Sequence, residues 1–148
     1  MQRKIKMKSV IECIRAFLLE CPLLAGGTMH VNFLEHEPVQ FTIDEVPTEP
    51  IVKRYADGST VRQTLFVLAS SEFYSRNELE NLKTCGFYEQ LADWIETQDA
   101  ADHLPALENA EARKIEVLTN GYCIAADIEQ NVQRYQIQCR LTYFKEAR

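Results

Sequence analysis

RYQIQCRLTYF, residues 134–144, decides the architecture. Tyr135, Ile137, Cys139, Leu141 and Tyr143 alternate with Arg134, Gln136, Gln138, Arg140 and Thr142. A period of two is the spacing at which a strand sends successive side chains to opposite faces. The sequence therefore predicts a strand that packs one face on a core and keeps the other polar. VRQTLFVLAS, residues 61–70, becomes apolar on both faces in its second half, as a strand covered on each side does. It predicts the centre of a sheet.

The flanking segments predict further strands. Lys114–Thr119, Asn120-Gly121 and Tyr122–Ala126 form a hairpin pattern, because Asn-Gly suits the positive backbone angles of a type I′ turn. Met29–Leu34 and Val39–Ile43 predict a second hairpin around the acidic turn of Glu35, His36, Glu37 and Pro38. Val46–Gly58, with Pro47, Pro50 and the pair Asp57-Gly58, predicts a long and mostly irregular excursion.

Two helical patterns complete the chain. Ser9-Val10-Ile11-Glu12 is a capping box, followed by Ile11, Ile14, Leu18 and Cys21 at helical spacing. Pro22 and Gly26-Gly27 end that run. Ser75-Arg76-Asn77-Glu78 is a second capping box, leading to Leu79 and Leu82; Gly86 then predicts a break before Phe87, Leu91, Trp94 and Ile95. The expected fold is α+β: a mostly antiparallel sheet of about four to six strands, with an N-terminal helix and a central broken helix packed on it. Its 148 residues, 46% of them apolar and 26% charged, suit one domain over residues 1–148. Residues 1–8 read as a flexible basic extension, with Met1 and Met7 as alternative starts.

Charge narrows the classes of partner. The net charge is −6, yet residues 1–15 hold Arg3, Lys4, Lys6, Lys8 and Arg15 against Glu12 alone, so the remainder is strongly acidic. Binding to nucleic acid draws on Lys and Arg, and we expect no sequence-specific nucleic-acid contact. Residues 84–112 carry Glu89, Asp93, Glu96, Asp99, Asp102, Glu108 and Glu111 without one Lys or Arg. That is a solvated face or a complement to a basic partner. No run is long and apolar enough to span a membrane, and no secretory signal is apparent.

Signatures of chemistry are few. Cys13, Cys21, Cys85, Cys123 and Cys139 are odd in number and widely spaced, which predicts buried or half-buried free thiols in an intracellular, reducing setting. His30, His36 and His103 lack metal-ligand spacing. There is no P-loop, Gly-x-Gly-x-x-Gly, Gly-x-Ser-x-Gly or His-Glu-x-x-His, and no local pattern supports Cys85 with His103 as a catalytic pair. We assign no catalytic, cofactor-binding or metal-binding residue.

Four segments carry a resemblance: EVPTEPIVKRYADGSTVRQTLFVLAS (residues 45–70), GFYEQLADWIE (86–96), KIEVLTNGY (114–122) and RYQIQCRLTYF (134–144). They resemble the small minor capsid or tail-terminator-like proteins of siphophages and prophages of Gram-positive bacteria. VPT-x-PI-x-K-x-Y-x-DGS-x-x-RQ, residues 46–63, is the most specific part. The resemblance implies a tail-terminator-like α+β fold and a virion assembly protein without catalytic residues. Such a protein forms a ring, usually hexameric, caps the tail tube and meets the head connector or neck proteins. It resides in the virion, and in the bacterial cytoplasm before assembly.

The residues themselves suggest where copies would meet. Lys53, Arg54 and Tyr55 combine charge with an aromatic anchor of the kind enriched in interfaces. Arg62 and the polar strand face of Arg134, Gln136, Gln138 and Arg140 are further candidates, the last four facing water or a ring lumen. The competing class is a small cytosolic ligand-binding domain or enzyme, with a pocket lined by Trp94, Tyr122 and Tyr135.

Overall fold

In chain order the elements are α1 (Val10–Leu18), a single 3-10 turn (Pro22–Leu24), β1 (Thr28–Val31), β2 (Gln40–Val46), β3 (Ile51–Arg54), β4 (Thr60–Phe73), α2 (Glu78–Ala100), β5 (Glu111–Val117), β6 (Tyr122–Asp127) and β7 (Val132–Lys145). The computed structural model from which they are read describes residues 8–24, 28–31, 40–73, 78–127 and 132–147. The fold is α+β with a mostly antiparallel sheet, as the sequence predicts; among the described residues six strands, β2 to β7, pair antiparallel and β1 adds a parallel edge.

β4 and β7 form the spine. They run antiparallel through an unbroken register from Thr60 opposite Lys145 to Phe73 opposite Val132. Each is flanked by a strand in two pieces. β2 and β3 both lie antiparallel along β4, the first beside Leu65–Ser71 and the second beside Thr60–Arg62. On the other side, β5 and β6 both lie antiparallel along β7, beside Cys139–Phe144 and Val132–Gln136 respectively. β1 joins the outside of β2 and is parallel to it.

This arrangement corrects two predicted hairpins. β5 and β6 continue one another along β7 instead of pairing around Asn120-Gly121. The interruption is stitched to β7 by Leu118 N–H donating to the Gln138 carbonyl (2.8 Å) and Gln138 N–H donating to Thr119 Oγ1 (3.1 Å). Gly121 serves a different purpose from a type I′ turn. A Cβ built there would stand 2.6 Å from Cβ and Cγ of Tyr88, so glycine lets the chain pass over that ring. β1 and β2 form a parallel pair, not a hairpin; the predicted acidic turn at 35–38 lies outside the described residues.

The Val46–Gly58 excursion is likewise more ordered than predicted, because β3 occupies Ile51–Arg54. Gln63 secures the step between β2 and β3. Its backbone N–H donates to the Pro50 carbonyl (2.9 Å), and its Nε2 donates to the Glu49 carbonyl (2.9 Å) and Thr48 Oγ1 (3.3 Å). Prolines that cannot donate to a ladder are thereby accommodated, since the neighbouring strand supplies donors to their carbonyl side.

Both helices pack on the sheet face that carries Phe41, Ile43, Phe66, Leu68, Ile137, Cys139 and Leu141, and these side chains are buried. α1 starts where predicted, with Ser9 Oγ accepting from Glu12 N–H (3.3 Å), and buries Ile11, Ile14, Phe17 and Leu18. Each fully buried Leu or Ile contributes about 1.5–3 kcal/mol. α2 buries Tyr88, Leu91 and Ile95. It is one continuous helix, not the predicted broken one. Gly86 costs a helix only about 1 kcal/mol relative to Ala, and that is too little to break it when Tyr88, Leu91 and Ile95 are held on the sheet. The predicted cap at Ser75, Arg76 and Asn77 lies outside the described residues.

The Tyr88 hydroxyl reaches into the core, hydrogen-bonding Ser70 Oγ (2.7 Å) and donating to the Tyr135 carbonyl (3.1 Å). At the far end of α2, Asp99 Oδ1 accepts from Ile115 N–H on β5 (3.0 Å). The helix thus runs from the spine to the β5 margin. Gly121→Ala is expected to destabilise the protein by about 1–3 kcal/mol through the clash with Tyr88. Gly86→Ala, whose added methyl meets nothing within 4 Å, is expected to stabilise it by about 0.5–1 kcal/mol. Urea denaturation of the two variants distinguishes these outcomes, and equal shifts would contradict both assignments.

Candidate functional site

The predicted contact residues sit at two places. Lys53 and Arg54 end β3, and Tyr55 opens the turn to β4. That turn is tight: Tyr55 N–H donates to the Ser59 carbonyl (2.9 Å) and Gly58 N–H to the Tyr55 carbonyl (3.0 Å). Gly58 adopts φ +93°, a region closed to most side chains. The Asp57 carboxylate accepts from Ser59 Oγ and from Ser59 N–H. Those bonds, the side-chain one foremost, hold its carboxyl below the usual range.

From this turn a ladder of cations and rings crosses the end of the sheet. Lys53 Nζ lies 5.0 Å above the Tyr55 ring, and Tyr55 meets Phe144 edge-on at 6.2 Å. The Arg113 guanidinium lies 5.0 Å above the Phe144 ring. Cations over ring faces and edge-on ring pairs are both attractive arrangements. Val52 is 57% exposed and Tyr55 41% exposed, so apolar surface stands in the open beside Lys53 and Arg54.

The sheet face away from the helices carries the second group. Arg134, Gln136, Gln138 and Arg140 follow one another on it, as strand alternation requires. Arg134 Nη2 donates to Asp44 Oδ2 on β2 (2.6 Å). The register places β4 between them, so the bridge passes over Ala69. Gln136 and Gln138 both donate to the Tyr122 hydroxyl at 2.8 Å. Arg140 Nε donates to Glu116 Oε2 on β5 (2.9 Å). Both arginines on this face are therefore neutralised, and the face is a knitted polar lattice without excess positive charge. Thr42 Oγ1 and Arg134 Nε are buried in it without a hydrogen-bond partner among the described residues.

Arg62 does not join that lattice. It stands opposite Tyr143, in step with Phe66 and Leu68 on the helix-bearing side, and its Nε donates to Thr60 Oγ1 (3.0 Å). Lys53, Arg54, Arg62 and Lys145 gather where β3, β4 and β7 end, and none has a carboxylate partner among the described residues. Phe144 and Arg113 were missed by the sequence reading. The available signal was an aromatic ring at 144, on the otherwise polar side of the alternation.

The three aromatics of the pocket reading do not share a cavity. Trp94 packs on Phe17 at 5.2 Å, and Tyr135 stacks on Tyr88 at 5.6 Å, both on the helix side. Tyr122 belongs to the lattice on the opposite face. A groove lined by Asn109, Glu111, Phe144, Lys145 and Glu146 lies at the end of the sheet. Among the described residues no three His, Cys, Asp or Glu groups are placed to hold a metal ion, and no helix is long and apolar enough to cross a membrane. His103 Nε2 meets Glu20 Oε1 at 3.3 Å, linking the loop after α2 to the end of α1. His30 and Cys85 have side chains outside the description, as does all of His36.

Cys13 and Cys21 on the amphipathic N-terminal segment and Cys139 at its inward strand position are buried, as expected, whereas Cys123 is exposed. Burial pushes the Cys139 thiol up to about 12 from an ordinary 9.0. Burial also raises Cys21, against the lowering effect of hydrogen bonds from the Leu23 and Leu24 backbone. No family model matches the chain, and no curated protein matches it.

Because folded Cys139 keeps its proton between pH 9 and about 12 while the unfolded chain loses it, its contribution is complete below pH 9 and fades above it. The stability advantage of wild type over Cys139→Ala is therefore expected to narrow between about pH 8 and about pH 10.5. Urea titrations at those values check this. A constant difference would refute the assignment.

Proposed function

We propose that the protein is a phage or prophage virion assembly protein, a tail terminator or minor capsid protein. It associates with copies of itself into a ring, caps the tail tube and takes part in head-tail joining with the head connector or neck proteins. It acts in the virion and, before assembly, in the host cytoplasm. The observation that carries this reading is the corner at β3, where exposed Val52 and Tyr55 stand beside Lys53 and Arg54, cations without a carboxylate partner among the described residues. Exposed apolar side chains flanked by charge are characteristic of contact surfaces.

The segments resembling tail-terminator-like proteins add to it in physical terms. The VPT-x-PI part supplies the carbonyls that Gln63 bonds, and DGS forms the turn that presents Tyr55. The conspicuous residues of the motif thus shape one corner of the sheet. The alternative of a small ligand-binding domain or enzyme draws no support from Trp94, Tyr122 and Tyr135, which lie on both sides of the sheet.

Light scattering over a range of concentrations, followed by electron microscopy, tests the reading. The expected result is a discrete closed ring several-fold heavier than the 17.1 kDa chain, formed alone or on addition of tail-tube protein. A monomer under both conditions would sink it.

A further inference from the structure

Two unlike charged surfaces lie apart on the molecule, one at the β3 margin of the sheet and one along α2. At one margin, Lys53 and Arg54 on β3 are exposed, with Arg62 and Lys145 behind them, and no carboxylate pairs with any of the four among the described residues. Asp57 is close in sequence, but its carboxylate is engaged by Ser59. Along α2, Glu89, Asp93 and Glu96 are exposed. Their spacing of four and then three residues stacks them along one helix face, and they too lack a cationic partner among the residues whose side chains are described. Of the cations that follow in sequence, Arg113 is engaged by Glu111 at 3.7 Å and Lys114 by Asp99 at 3.8 Å.

We infer that the basic corner of one copy, Lys53, Arg54 and Tyr55, docks against the acidic stripe of the next copy, Glu89, Asp93 and Glu96. This rests on the self-association proposed above and specifies its contact. The two surfaces do not adjoin within one copy: β3 lies outside β4, whereas α2 runs from Tyr88 over the spine to Asp99 at β5, outside β7. They meet between copies. A two-fold contact through either surface would set like charge on like, whereas a head-to-tail contact sets cation on carboxylate and repeats until a ring closes. Val52 and Tyr55 provide the apolar area that such a contact excludes from water.

Side chains make this contact, not an added strand. Pro50 precedes β3, and a bulge at Val52 interrupts its pairing, two devices that blunt an edge against another strand. The β5 edge is blunted as well, since Asp99 occupies the Ile115 N–H.

The test uses two charge reversals on the full chain, Lys53→Glu/Arg54→Glu and Asp93→Lys/Glu96→Lys, with sedimentation velocity at about 50 mM and about 500 mM salt. Each variant alone presents like charges to itself and is expected to associate at least about tenfold more weakly than wild type. Their equimolar mixture restores opposite charges at every contact and is expected to recover association, which a folding defect would not allow. High salt should weaken wild type and mixture alike. Association of either variant at wild-type strength overturns the inference and leaves the ring intact as a reading, as does a mixture no stronger than its components. Loss of binding to tail-tube protein with self-association unchanged assigns the corner to that partner, and also overturns it. Wild type that remains monomeric both alone and with tail-tube protein overturns both the inference and the self-association on which it rests.

Discussion

The fold depends on one constraint, the unbroken antiparallel register of β4 and β7. Every other element takes its place from that pair. The outer strands are aligned along its two margins, and α2 is anchored to it through Tyr88, whose hydroxyl hydrogen-bonds a β4 side chain and a β7 carbonyl. Because alternation is strict along both strands, a slip of one residue would bring Arg134, Gln136, Gln138 and Arg140 under the helices and expose Ile137, Cys139 and Leu141. The spine also sets the two chemistries of the sheet, an apolar face that receives helices and a polar face whose long side chains bond one another.

The residues that decide this division are legible in the sequence. The period of two in 134–144 and the doubly apolar end of 61–70 identify the spine, and the Ser9 cap fixes the start of α1. What lies outside them is governed by tertiary geometry. Asn120-Gly121 has the composition of a tight turn, but Tyr88 requires a glycine there for clearance and β7 offers bonds that continue the strand. Pro47 and Pro50 suggest irregular chain, yet Gln63 supplies donors that let pairing resume at Ile51. Gly86 weakens a helix locally, and packing of Tyr88, Leu91 and Ile95 outweighs it.

The contact residues were legible as types but not as a constellation. Lys53, Arg54 and Tyr55 stand out in the sequence as charge and aromatic in a turn. Their connection to Phe144 and Arg113 depends on the register between β4 and β7, which joins residues from opposite ends of the chain. Arg62 stands apart from the polar face, because register puts it opposite Tyr143 on the helix-bearing side. The ion pairs of Arg134 with Asp44 and Arg140 with Glu116 also follow from cross-strand pairing. They neutralise both arginines of the face that reads as polar in the sequence.

The spine has a further meaning for how the chain reaches this structure. β3 with β4 and β6 with β7 are local hairpins, closed by short connections, and their ladders can form without the rest of the chain. The long ladder between β4 and β7 is different, because α2 and the whole of β5 and β6 intervene in sequence between its strands. Its closure is a non-local event of the kind that slows folding. Until it occurs, each hairpin presents an open apolar strand edge, so the newly made chain is most exposed to wrong pairing in the interval between local and global closure.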